Sequence, residues 1–207
     1  MPRTSERGGP QTRARIAEVA GGLFLERGFE NVTVAEIARE AGVSSVTVFK
    51  HFPRKEDLFL DRADDAAELL RSSVRDRAAG VHVLTSLREA MCGLVEVRHP
   101  LSGVEDRSVP FFRTVAGSPA LIARAREIAS ELQGVLVEEL DRDPAFEGDA
   151  TLLAAFFIAG YTTVLVETAR RLIAEDARDG VVADHSARLE RLFDALRGGV
   201  GKPGARP

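Results

Sequence analysis

Apolar residues along the chain recur at intervals of three and four, and no stretch alternates strictly apolar with polar, so the pattern predicts helices throughout and an all-α fold. The first helix carries Ile16, Val19, Ala20, Leu23 and Phe24 on one face, and Gly28 is placed to stop it as a C′ residue. A second helix starts at Thr33, where Thr-Val-Ala-Glu reads as a capping box: Thr33 accepts from the Glu36 backbone N–H while the Glu36 side chain reaches back. Its buried face is Val34, Ile37, Ala38 and Ala41. Gly42-Val43-Ser44 then supplies a turn glycine, an apolar plug and a cap for a third short helix, which must end before Pro53.

Beyond Pro53 the periodicity predicts helices over 54–79, 83–98, 105–116, 118–141, 149–176 and 185–198, with turns at Gly80, His99-Pro100, Gly117-Ser118 and Asp143-Pro144. The stretch Leu152 to Thr168 is apolar nearly all round and needs cover on several sides. The last helix shows the stripe Leu189, Leu192, Phe193 and Leu196, which either folds back on its own domain or meets a second copy. The division expected is a three-helix head over 10–55 and a larger antiparallel helical body over 56–198, with 1–9 and 199–207 disordered.

In the head, a small residue at the helix crossing (Ala38), a turn glycine four positions on, and a capped third helix meet the requirements of a helix-turn-helix, which enters the DNA major groove. An ordinary helical hairpin would share the spacing. The outward set on the third helix is Ser45, Val46, Thr47, Phe49, Lys50 and His51. Overall the 207 residues sum to −4, but residues 1–55 hold nine basic against six acidic residues and the remainder 19 against 26, a modestly basic head on an acidic body.

The segments LFLERGFENVTVAEIAREAGVS and FKHFPRKEDLF, within Thr12 to Leu58, closely resemble the N-terminal domain of the TetR family of transcription regulators. The resemblance implies a cytoplasmic homodimer with a helix-turn-helix head and a divergent body that binds a small molecule and dimerises, a repressor released from operator DNA by its effector. It implies phosphate contacts for Thr33, His51 and Lys55, with Ser44 capping and Ser45, Val46, Thr47 and Lys50 facing base edges. Phe49 stands where the family usually has Tyr, and Val46 where Gly or Pro is common, so the operator is expected to differ from those of relatives. Arg3, Arg7 and Arg13 have two open readings, contact with the DNA backbone or minor groove, or a solvated arm. In this family the last two helices pair across a two-fold axis, which would use Leu165, Leu189, Leu192, Phe193 and Leu196. The segments FFRTVAGSPALIARAREIASEL and LLAAFFIAGYTTVLVETARRL also resemble mycofactocin-type regulators, which implies a lipophilic or acyl-coenzyme A-like ligand. Met91, Val95, Phe111, Phe112, Leu121, Phe157 and Tyr161 are candidates to line its pocket, with Arg113 to anchor an acidic group, though each is also an ordinary core or surface residue.

No HExxH, Walker loop or GxSxG occurs, the four histidines are scattered, and Cys92 is the only cysteine, so neither an enzyme, nor a cofactor, nor a metal site, nor a disulfide is expected. The longest uninterrupted apolar run, Leu152 to Gly160, is short for a bilayer span. An architectural DNA binder without effector would need basic surface beyond the head, which the acidic body lacks.

Overall fold

The computed structural model describes residues 9–105 and 107–199. All regular elements among these residues are helical, and they divide into two compact units. The termini expected to be disordered lie outside the described residues except at Gly9 and Gly199, which begin and end helices.

The first unit, described residues 9–61 with 113–125, contains α1 (Gly9–Arg27), α2 (Val34–Glu40), α3 (Ser45–His51) and a 3-10 turn (Glu56–Leu58). From α1, Ile16, Ala20 and Phe24 are fully buried, with Val19 and Leu23 half-buried beside them. Phe24 packs on Phe29 at 4.9 Å and meets Phe59 edge-on at 5.7 Å. Val32, Ile37, Ala38, Ala41, Val48, Phe52 and Leu58 complete the core.

One expectation fails here, because no helix runs continuously from 54 to 79. Leu58 and Phe59 are buried in the head, and Asp57 accepts a hydrogen bond from the Arg54 backbone. Holding those residues folds the chain into a 3-10 turn, and α4 (Ala63–Arg75) starts afresh in the second unit.

The head also includes a distant stretch of chain. Residues 113–125 comprise the end of α6 (Ser108–Ala116) and the start of α7 (Pro119–Arg142). Ser118 Oγ donates to Glu30 Oε1 at 2.7 Å, and Arg124 Nε donates to Asp57 Oδ1 at 2.7 Å, both side chains of that pair being mostly buried. Leu121 is fully buried.

The second unit, taken over its described residues 62–105, 107–112 and 126–199, is built on α4, α5 (Val83–Glu96), the remainder of α6 and α7, α8 (Ala150–Ile173) and α9 (Arg178–Gly199). Its core joins Leu70 and Val74 of α4, Leu84, Leu87 and Met91 of α5, Leu136 and Leu140 of α7, Leu153, Phe157 and Ile158 of α8, and Leu189, Phe193 and Leu196 of α9. α9 packs against α8 and α5. Gly160 permits the closest approach, since a Cβ there would lie 2.3 Å from Leu192 Cδ1. By length and composition α8 is apolar enough to cross a membrane, which the short-run argument from sequence overlooked, although one face of it lies in this core. The last helix starts at Arg178 rather than 185. Its first two turns bury Val181 and His185, and Arg178 reaches the carbonyls of Val104 and Glu105.

Candidate nucleic-acid interface

The interface is assembled by capping and turn chemistry. Thr33 Oγ1 accepts from the Glu36 N–H at 3.2 Å, and Glu36 Oε2 accepts from the Thr33 N–H at 2.8 Å, closing the capping box. The Thr33 hydroxyl donates to the same carboxylate, and Arg27 Nη2 donates to its other oxygen at 3.0 Å. Hydrogen bonds from the Thr33 backbone, the Thr33 hydroxyl and Arg27 hold the Glu36 carboxyl down at about 2. Gly42 takes φ of 66°, with open space where a Cβ would stand, so the glycine is required by backbone conformation alone.

Ser44 begins α3 as its N-cap. Its Oγ accepts from the Thr47 N–H at 3.1 Å and shares a 2.9 Å hydrogen bond with the Thr47 hydroxyl. Val48 and Phe52 are sealed in the core and orient the helix. Lys50 and Phe49 face outward, Ser45, Thr47 and His51 are half-buried, and Val46 is 79% exposed. One short helix thereby presents hydroxyls, an ammonium, an imidazole and two apolar groups, the mixture that reads base edges in a major groove. The stretch 45–55 contains Lys50, Arg54 and Lys55 and no acidic residue.

Two basic candidates already have protein partners. Lys55 Nζ donates to the Phe29 carbonyl at 2.6 Å and lies 4.2 Å from the Phe29 ring centroid, so it also closes the turn after α1. Arg13 stacks 4.4 Å over the Phe52 ring and donates to the Asp61 carbonyl, which makes it part of the head scaffold. Arg3 and Arg7 lie outside the described residues. Sequence reasoning missed the Ser118–Glu30 and Arg124–Asp57 links. Their partners lie 88 and 67 positions apart, a separation that leaves no periodic signature.

None of the residues proposed to line a ligand pocket lines the largest cavity described below. Met91, Val95 and Phe157 are buried in the body core, and Leu121 and Arg113 belong to the other unit. Phe111 and Phe112 pack edge-on at 5.6 Å. Tyr161 stacks on Phe157 and donates to the Leu101 carbonyl at 3.1 Å, and burial raises its phenol pKa. A cavity of about 850 Å³ opens instead between the α4–α5 and α7–α8 turns, with Ala78, Val81, Leu84, Phe146 and Leu153 in its walls and Glu147 at its side. Arg77 also lines it, but its guanidinium is committed to Asp143 and to the carbonyls of Val74 and Val81.

On α9, Leu189, Phe193 and Leu196 are at most 3% exposed within the single chain, which leaves them no surface for a second copy. Here the fold-back alternative for the stripe prevails, because α5 and α8 already cover it. Leu165 and Leu192 are half-buried. The apolar surface of this region lies on α8, where Leu152, Phe156 and Val166 are each about half exposed within one narrow arc of the helix.

Comparison with known proteins agrees with the geometry. The profile described as bacterial regulatory proteins, tetR family, matches residues 16–61. The HTH-type transcriptional regulator TcmR of Streptomyces glaucescens is 26% identical over 200 residues, covering 94% of this chain and 88% of that protein. An HTH-type transcriptional regulator of Staphylococcus aureus strain USA300 is 44% identical over 48 residues, 23% of this chain and 26% of its own. Among solved structures, SmeT in complex with triclosan superposes with a TM-score of 0.60 at 16% identity, covering 95% of each chain. NalD of Pseudomonas aeruginosa, the secondary repressor of the MexAB-OprM multidrug efflux pump, superposes with a TM-score of 0.58 at 20% identity, covering 95% of this chain and 98% of its own. At these identities the structural likeness speaks for the fold.

Proposed function

Because the chain belongs to the TetR family of bacterial regulatory proteins, and is a transcriptional regulator rather than an enzyme, we propose that it is a cytoplasmic homodimeric repressor released from its operator by a small lipophilic or acyl-type molecule. The observation that carries this reading is the outward face of α3, a polar and basic reading surface held rigidly by two capped helix starts and a glycine turn. Thr33, His51 and Lys55 are assigned to phosphates, and Ser45, Val46, Thr47, Phe49 and Lys50 to the groove, with Ser44 fixing their register. For Lys55 to reach a phosphate it exchanges its Phe29 carbonyl for the DNA.

The effector is assigned to the body. The cavity between the α4–α5 and α7–α8 turns is lined by Leu153, which belongs to the same core cluster as Met91, Val95 and Phe157. A ligand wedged there acts on that cluster. The precedents are the complex of SmeT with triclosan and the efflux-pump repressor role in the name of NalD. For the homodimer, the exposed α8 face of Leu152, Phe156 and Val166 supplies the self-complementary surface that a two-fold operator requires.

The test is operator selection from random duplex DNA with the full-length protein, followed by a screen of lipophilic compounds and acyl-coenzyme A thioesters for release. Expected is a palindromic operator bound far more tightly than competitor DNA and a compound that weakens binding. Equal affinity for all sequences would favour an architectural binder, and a tight operator with no releasing compound would refute the effector half. Phe156→Glu is expected to give monomers by light scattering with much weaker operator binding.

A further inference from the structure

Val46 and Phe49 are the anomaly of the reading face. Val46 is 79% exposed and Phe49 49% exposed on a seven-residue helix whose third large apolar residue, Val48, is completely buried. Neither side chain can make a hydrogen bond, and Phe49 has no aromatic partner among the described residues. Of the two hydroxyls on the helix, that of Thr47 is tied to Ser44 at 2.9 Å. Val46 and Phe49 therefore place a continuous apolar patch on a helix face that carries few hydrogen-bonding side chains beside Ser45 and Lys50.

The surroundings fix what can cover such a pair. With three basic residues and no acidic one between positions 45 and 55, the complementary partner is polyanionic, as duplex DNA is. Within the major groove the apolar group presented by the four bases is the C5-methyl of thymine. Residues three apart on a helix hold their Cβ atoms roughly 5–6 Å apart, more than one base step of about 3.4 Å, so the two side chains straddle neighbouring steps.

We propose that Val46 and Phe49 form an apolar clamp for two C5-methyl groups on neighbouring base steps, making methyl-bearing pyrimidines the specificity determinant of each operator half-site. This rests on the reading of the head as a DNA-binding module. The clamp recognises the methyl rather than the base pair, so 5-methylcytosine substitutes for thymine in part, where cytosine does not.

The test uses the full-length protein and its selected operator. Each thymine is replaced singly by deoxyuridine, which removes only the methyl, and dissociation constants are measured for the wild type, Val46→Ala and Phe49→Ala. Two positions per half-site are expected to lose roughly fourfold in affinity on demethylation, the value of one buried methyl group. Val46→Ala should abolish the penalty at one position and Phe49→Ala at the other. Both substitutions are on the surface, and unchanged circular dichroism and melting temperature confirm intact variants. Replacing the sensitive T·A pairs by C·G should weaken binding, and methylating that cytosine at C5 should restore part of the loss. Deoxyuridine tolerated at every thymine of a tightly bound operator, or both variants keeping the full demethylation penalties, would overturn the clamp while leaving the DNA-binding reading intact. Failure to select any operator would overturn both.

Discussion

The third helix and the last use apolar residues in opposite ways. α9 hides Leu189, Phe193 and Leu196 in its own protomer, whereas α3 buries Val48 and leaves Val46 and Phe49 in water. Both helices carry apolar residues at three-residue spacing, so spacing alone does not separate a core stripe from a reading surface. Neighbouring elements decide it: α9 lies against α5 and α8, while α3 rests on the head through one face and keeps the other open. An apolar residue on a short capped helix with no element to cover it is a recognition candidate, and one on a long helix flanked by others is core.

The contrast can be broken most forcefully at Phe193. Phe193→Ala should cost about 4 kcal/mol, read as the midpoint of denaturant unfolding, whereas Val46→Ala should change stability by less than about 0.5 kcal/mol. Comparable losses from the two would show that the exposed pair is structural. His185 sharpens the burial of α9 by pH. It is buried, with Nδ1 hydrogen-bonded to the Thr168 hydroxyl at 2.9 Å and Nε2 without a partner, and desolvation lowers its pKa to about 4. Above pH 6.5 it is neutral folded or unfolded. As pH falls from 6.5 to 4 the unfolded chain takes a proton that the folded chain refuses, so stability should decline across that window by as much as about 3 kcal/mol and then level off. His185→Leu should remove that decline; an unchanged pH profile in the variant would count against its origin in this residue.

Smaller effects belong to the head. Gly42→Ala should cost about 1–2 kcal/mol, since the turn keeps its φ of 66° and gains a Cβ that this conformation disfavours. The expected loss should appear in the melting temperature together with weaker operator binding, and a neutral result would mean that the turn relaxes. Lys55→Ala should weaken binding to all sequences alike and flatten the salt dependence by about one unit. Because Lys55 also closes the turn at Phe29, a small loss of stability should accompany the change in slope; an unaltered slope would confine this lysine to the scaffold role.

The head was legible almost to the residue because its determinants are local. A capping box spans four positions, a turn glycine one, and a serine cap four, and each is present at Thr33, Gly42 and Ser44. The body was legible in outline, with breaks at Gly80, Pro100, Gly117 and Pro144, because turn residues are also local signals. What could not be read depends on who packs against whom. The break after Leu58 arises from burial in the head, and the fate of the α9 stripe from cover by α5 and α8. Arg13 looked like part of an arm until Phe52, 39 positions away, provided its ring.

Residues 113–125 carry a lesson for anyone exchanging parts between regulators of this kind. A transplant cut at residue 61 would take α1 to α3 and leave behind the stretch that supplies Ser118 to Glu30 and Arg124 to Asp57. The donor head would arrive with a carboxylate stripped of its guanidinium, and the recipient would keep a Leu121 shaped for a surface no longer there. The transferable module is discontinuous in sequence, so a chimera that respects it must graft two segments of chain at once.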